Sequence, residues 1–231
     1  MSKFILDKQT ARLIVLQRIE LLSTFQKKLR KFFGRYLFVN FFSKFIFNSN
    51  TVGLKYFEIM QKEFETVQKE IQYSNKKFLS IGGGLGGFEL IVNQKTNNNF
   101  FNFIEKNYIS KKVKYGWDDK NLEAYNNLSL VELFLKNNGM EPGQFKIFDF
   151  DTETLPEGKF DFIVSLYSLD YHYDFNIYLD YLRRVSHNDT KIIFDTIRGE
   201  YFKKIFKNVN VIQSQINTVH KSKRIICNEF I

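Results

Sequence analysis

Five glycines in Ile81-Gly82-Gly83-Gly84-Leu85-Gly86-Gly87, directly after the apolar stretch Phe78-Leu79-Ser80, are the residues of this chain best suited to hold a ligand. Glycine opens backbone angles closed to other residues and removes the Cβ that keeps a ligand off the main chain, while a helix start behind it offers unpaired N–H groups. Nucleotide-type cofactors are seated this way. Gly82, Gly84 and Gly87 fit the GxGxxG spacing of dinucleotide sites, and Gly82, Gly84 and Gly86 fit a GxGxG spacing, so the run leaves two cofactor classes open. A turn needed only for close strand-to-helix packing is the plainer reading of the same residues. Glu105 ends the apolar run Phe100-Phe101-Asn102-Phe103-Ile104, where a carboxylate can accept both hydrogen bonds of a vicinal ribose diol. That demand is common to both cofactor classes.

A second reactive group lies at Tyr167-Ser168-Leu169-Asp170-Tyr171-His172-Tyr173. His172 is one of three histidines, and the ordinary pKa of an imidazole, near neutrality, suits a general base. Asp170 would act as a base or orient the histidine, and Tyr167 would line the same cleft. Against this stands the structural alternative, in which the aromatic residues only line a cleft and His172 caps a helix.

These residues need elements to hold them. After residue 76, short apolar runs at 77–82, 100–105, 145–150, 160–166 and 190–195 read as strands, with helices at 86–92, 122–138 and 175–186 between them. This alternation implies right-handed crossovers and a parallel sheet covered on both faces. Two strand-like runs, 209–216 and 223–230, joined by a short polar link, imply an antiparallel hairpin at one sheet edge. Upstream, Val15, Ile19, Leu22, Phe25, Leu29 and Phe32 recur at helical spacing and predict one amphipathic basic helix from Thr10 to Phe33. A second helix over 52–71 presents Phe57, Met60, Phe64 and Val67 on one face. Such stripes predict helices that pack on the sheet or roof its ligand cleft, giving a helical cap at 1–75 and a ligand-binding unit at 76–231.

Composition narrows the classes. A chain of 231 residues, 44% hydrophobic and 17% aromatic, supports one sizeable core with an added subdomain. A single cysteine, Cys227, excludes a disulfide framework and a cysteine zinc site, which fits a cytoplasmic setting. No secretory signal pattern and no apolar stretch long enough to span a bilayer is present. Residues 1–47 hold 10 of the 34 Lys and Arg and 2 of the 25 Asp and Glu, a net +8 out of +9. Such a segment suits a nucleic acid, an anionic membrane surface or an acidic substrate, or is simply a solvated basic face.

Taken in order, residues 76–231 resemble class I S-adenosylmethionine-dependent methyltransferases. Phe78 to Gly86 is similar to that family's first motif, with Gly82, Gly84 and Gly86 at the glycine positions bordering the methionine moiety. Ser80 departs from the acidic residue common there, so the contact near the donor's amino group is lost or supplied elsewhere. Ile147-Phe148-Asp149-Phe150-Asp151-Thr152-Glu153-Thr154-Leu155-Pro156 resembles the third-strand segment, which implies that Asp151, or Asp149 if the alignment slips by two, accepts from the adenine amino group. Phe160 to Leu169 resembles the fourth strand, with Ser165 at its end in the cofactor-binding set. Leu182 to Val185 and Lys191 to Asp195 resemble the helix and fifth strand that follow, although His187-Asn188-Asp189 replaces the usual glycine pair in the turn between them.

The resemblance implies a Rossmann-like α/β fold, a mostly parallel seven-stranded sheet with a C-terminal antiparallel hairpin and a helical N-terminal extension, with S-adenosylmethionine as cofactor. A nicotinamide oxidoreductase is the rival reading. The implied reaction is O-methylation of a small molecule or of a sugar in a glycoconjugate. RNA methylation gripped by the basic N-terminus is one alternative, and a methyltransferase-like binding protein without catalysis is another. No Asn/Asp-Pro-Pro-Tyr tetrapeptide of amino-methylating enzymes follows the fourth strand. A magnesium site on Asp170 and Asp195 would lack its usual third ligand, because Thr196 stands there, and no metal is expected. The segment 107–121, with Trp117 among lysines, would carry acceptor contacts, or Trp117 would only pin the loop to the body.

Overall fold

The computed structural model describes residues 2–111, 123–214 and 221–231, with side chains throughout these except at 42–46. Trp117 and most of the 107–121 segment lie outside the described residues.

Seven strands form one sheet: β1 (Lys77–Ile81), β2 (Phe100–Glu105), β3 (Phe145–Asp149), β4 (Phe160–Ser165), β5 (Ser186–Thr196), β6 (Phe206–Ser214) and β7 (Lys223–Phe230). Their spatial order is β3-β2-β1-β4-β5-β7-β6. The five strands β1 to β5 pair in parallel, while β7 runs antiparallel to both β5 and β6. The chain leaves β1 for β2 on one side and returns to β4 on the other, so a crevice opens at the carboxyl end of β1, where open α/β sheets bind ligands.

Parallel register sets Phe101 and Phe162 on either side of Phe78, and their rings stack at centroid separations of 5.0 and 4.8 Å. This aromatic ladder belongs to a core shared with α4 (Ser49–Ile71), α5 (Gly87–Lys95) and α6 (Leu128–Asn137). The opposite face packs Leu79, Ile81 and Ile163 against α7 (Leu179–Val185) and the C-terminal hairpin. On α4 the stripe Phe57, Met60, Phe64 and Val67 is buried, as its spacing predicts.

The N-terminus differs from expectation. Instead of one helix from Thr10 to Phe33 there are two, α1 (Lys8–Gln17) and α2 (Thr24–Phe33), separated by a 3-10 turn at Ile19–Leu21. Ser23 and Gln26 form a reciprocal capping box that starts α2 afresh, since each satisfies a backbone N–H of the other. The axis therefore changes after Gln17. Ile14 and Val15 go into the core, whereas Phe25 and Phe32, on the same predicted stripe, are 69% and 82% exposed. Helix α3 (Arg35–Ile46) folds back after Gly34. The break carries Gln17, Arg18, Ile19 and Glu20 over the crevice at the end of β1.

The remaining helices differ in extent. Helix α6 begins at Leu128 rather than near 122, and Ile109 and Tyr125 form an antiparallel bridge before it. Between β4 and β5, a 3-10 turn at Phe175–Ile177 precedes the short α7.

Candidate functional site

The glycine turn adopts left-handed backbone angles, with φ of 66° at Gly82, 70° at Gly84 and 79° at Gly86, a region costly to residues with a Cβ. Space is restricted too: a Cβ on Gly84 would stand 2.9 Å from Gln17 Oε1 of the N-terminal roof. Close packing therefore explains part of the run, while another side of the turn stays open. A cavity of about 350 Å³ lies there, within the range of small-molecule sites.

Residues 82–84 and Glu105 form the cavity floor, and the roof is Gln17, Arg18, Ile19, Glu20 and Arg35. One wall is Leu166, Tyr167, Ser168, Tyr171, His172 and Tyr173, and the other is Ala124, Tyr125 and Asn126. Gln17 ties roof to wall, since its Nε2 donates to the Tyr125 carbonyl at 2.8 Å.

Glu105 is buried, and its oxygens accept from the Gly84 N–H at 2.8 Å and from Asn126 Nδ2 at 2.9 Å. Burial pushes its pKa up to about 8, against the lowering effect of those two bonds. An ionised carboxylate has about four acceptor positions, so Glu105 keeps capacity for a diol.

Ser80 does not face the cavity. Its Oγ donates to Glu89 Oε1 at 2.5 Å beneath the turn. Glu89, in the first turn of α5, is buried, and its other oxygen has no hydrogen-bond partner among the described residues. Burial raises its pKa to about 7. Sequence reading missed this residue: the acid absent at position 80 is present at 89, on the adjoining helix.

Asp149 and Asp151 stand outside the cavity lining. Asp149 accepts from the Asp151 N–H and from Thr152 Oγ1, while Asp151 is exposed and pairs with Lys106 at 2.6 Å. Ser165 is structural in its contacts, donating to the Ile81 carbonyl at 2.7 Å and accepting from the Leu169 N–H at 2.8 Å. It thereby joins the ends of β1 and β4 where they part.

The loop after β4 holds two non-glycine residues at positive φ, Tyr167 and Asp170, both at 60°. Such angles are uncommon for a bulky residue and are held by surrounding bonds. Tyr167 donates its N–H to Asp195 at 3.2 Å and its hydroxyl to Glu63 at 3.2 Å. The Asp170 side chain is fully buried and bound by Thr196 at 2.5 Å and by the guanidinium of Arg198. Asp170 is thus committed away from the cavity, whereas His172 lines it with its ring 4.8 Å from that of Tyr171. Asp195 likewise faces a guanidinium, that of Arg224, and among the described residues no group of three His, Cys, Asp or Glu could hold a metal ion.

Arg224 is fully buried and joins three elements, pairing with Asp195 on β5 at 2.9 Å and with Glu63 on α4 at 2.6 Å, and donating to Thr66 at 2.7 Å. Burial works against its charge, but the two carboxylates outweigh it and raise the pKa. Through Glu63 this cluster also fixes Tyr167.

No protein-family model matches the chain. No curated protein matches it. Solved structures do. One is a Nostoc punctiforme protein assigned as an O-methyltransferase, 12% identical, with 74% of this chain and 56% of that chain covered at a TM-score of 0.53. A 16S rRNA N2 methyltransferase of T. thermophilus, in complex with AdoMet and guanosine, is 11% identical, with 74% and 42% covered and a TM-score of 0.48. A methyltransferase of Pyrococcus furiosus is 13% identical, with 74% and 83% covered and a TM-score of 0.48. The chain spans about half the length of the first two. The strand order and the first of these likenesses establish a Rossmann-like class I methyltransferase fold. Among the described residues no helix is long and apolar enough to cross a membrane.

Proposed function

We propose that this protein is an S-adenosylmethionine-dependent methyltransferase, binding the donor along residues 82–84 and Glu105 and admitting the acceptor beneath the N-terminal roof. The observation that carries this reading is the meeting of glycine turn, buried Glu105 and cavity at the crevice between β1 and β4. The residues present fit such a donor: Glu105 has free acceptor capacity for a ribose diol, and two buried carboxylates, Glu89 and Glu105, would be compensated by a cationic ligand. At the adenine end, Asp151 or Asp149 would act only after leaving its present partner.

When bound, the donor supplies a methyl group already activated on a sulfonium. The chain's task is then to orient the acceptor and keep water out. His172 is the base that takes the acceptor's hydroxyl proton, with Tyr167 lining the same wall. Asp170 acts as a positioning residue, holding the loop through Arg198 and Thr196. Ser80 supports Glu89 under the turn, and Ser165 sets the spacing of the two strand ends. Residues 1–75 serve as the cap and 76–231 as the donor-binding unit. A reducing, cytoplasmic setting suits Cys227, a buried thiol whose pKa burial raises.

The acceptor atom is an oxygen of a small molecule or of a sugar in a glycoconjugate, which the tyrosines and His172 of the wall support. RNA methylation is the second reading, favoured by the +8 of residues 1–47 and by exposed Lys27 and Lys28 on α2. A non-catalytic binder is the third. Transfer of a deuterated methyl group into a low-molecular-mass extract, compared with transfer into total RNA, separates them. Label in RNA alone would overturn the small-molecule assignment, and label in neither fraction would favour the binder.

A further inference from the structure

Two cations in the roof of the cavity are unused by the chemistry above. Arg18 follows α1, and its guanidinium lies 5.9 Å from the centroid of the Tyr167 ring. Arg35 opens α3 and lies 4.2 Å from the centroid of the Tyr125 ring. Both line the cavity from the roof, each against a tyrosine of a different wall, and among the described residues neither forms an ion pair, although the buried Arg224 has two. Carboxylates do lie in range: Glu20 near both, Glu63 near Arg18 and Glu123 near Arg35. At Arg18 burial opposes the charge, but Glu20, Tyr56, Glu63 and Tyr167 outweigh it and raise the pKa. Burial dominates at Arg35 and lowers its pKa, so its charge is under-compensated.

We propose that Arg18 and Arg35 form the receptor for an anionic oxygen group, a carboxylate or a phosphate, carried by the methyl acceptor. This rests on the donor-binding reading above. A guanidinium meets such groups with paired, charge-assisted hydrogen bonds, and its aromatic bed holds the fork in place. An acceptor gripped at the roof would present its hydroxyl to the wall bearing Tyr171 and His172. The donor's positive sulfonium would favour the same negatively charged partner.

The test uses calorimetry on the full chain saturated with S-adenosylhomocysteine, titrated with matched probes: 3-hydroxybenzoate against 3-hydroxybenzamide, and glucose 6-phosphate against glucose. At least one anionic member should bind about tenfold or more tightly than its neutral partner, weaken with salt, and lose that advantage in Arg18→Gln and in Arg35→Gln. Which pair responds tells carboxylate from phosphate. Retained S-adenosylhomocysteine affinity in each variant shows that fold and donor site are intact, and Arg35→Lys should keep part of the preference. Equal or undetectable binding of both members of both pairs overturns the proposal. So does a tenfold loss of S-adenosylhomocysteine affinity in Arg18→Gln with the fold intact, which would assign that arginine to the donor's own carboxylate. Failure of the wild-type chain to bind S-adenosylhomocysteine would instead strike the underlying reading.

Discussion

Ser80 and Glu89 form one buried unit: the hydroxyl at the end of β1 donates to the carboxylate in the first turn of α5, directly under the glycine turn. Position 80, where the resemblance leads one to expect an acid, carries a hydroxyl instead, and the carboxylate it meets comes from the adjoining helix. Removing the hydroxyl by Ser80→Ala leaves Glu89 with less compensation and should destabilise the fold by about 1–3 kcal/mol. Ser80→Ala combined with Glu89→Gln should recover part of that loss. Denaturant unfolding of the three variants measures it; additive losses would dissolve the unit.

On the proposed reading, Glu105 should make donor binding and stability depend on pH in opposite directions. Its pKa is raised by burial from 4.5 to about 8. The folded state therefore holds a proton that the unfolded state has released, and this contribution to stability is full below pH 4.5 and lost as pH rises to about 8. A ribose diol needs the ionised form, so donor affinity should rise over the upper part of that window and binding should release protons. Calorimetry in buffers of different ionisation enthalpy reads the release directly, and Glu105→Gln should abolish both the release and most of the affinity.

The Arg224 cluster couples helix α4 to the sheet. Arg224→Met strands Asp195 and Glu63 together in the core, which should cost about 3–5 kcal/mol. Thermal unfolding tests this. A loss below about 1 kcal/mol would mean that water reaches the cluster.

His172→Ala should lower turnover by roughly 100-fold or more and leave S-adenosylhomocysteine affinity unchanged, since the residue lines the wall against which the proposed acceptor would lie. Unchanged turnover would remove His172 from the chemistry. Asp170→Asn should act differently, through displacement of the whole loop, and its effect should scale with loss of thermal stability.

Much of the sheet was legible because its strands are short apolar runs with polar punctuation; 223–230 ends where its pattern ends. The N-terminal break was not read, because the apolar spacing from Val15 to Phe32 continues through it. The signal that marks it is the Ser23 to Gln26 capping box, a local hydrogen-bond pattern that periodicity ignores. Glu89 was hidden in a helix apolar nearly all round, where its neighbours Phe88, Leu90 and Ile91 are all buried. Arg224 could not be found from sequence: its partner Asp195 is brought opposite only by the antiparallel register of β5 and β7. Of the residues expected at the donor, Gly82, Gly84 and Glu105 meet at the cavity, whereas Ser80, Gly86 and Ser165 are outside its lining and Asp149 and Asp151 lie on a turn with other partners.

Calorimetric titration of the purified chain with S-adenosylhomocysteine tests the central claim most directly. Saturable one-to-one binding in the micromolar range is expected, and Gly84→Arg, which fills the space between the turn and Gln17, should abolish it. Tight binding of NADH with no binding of S-adenosylhomocysteine or S-adenosylmethionine would contradict it.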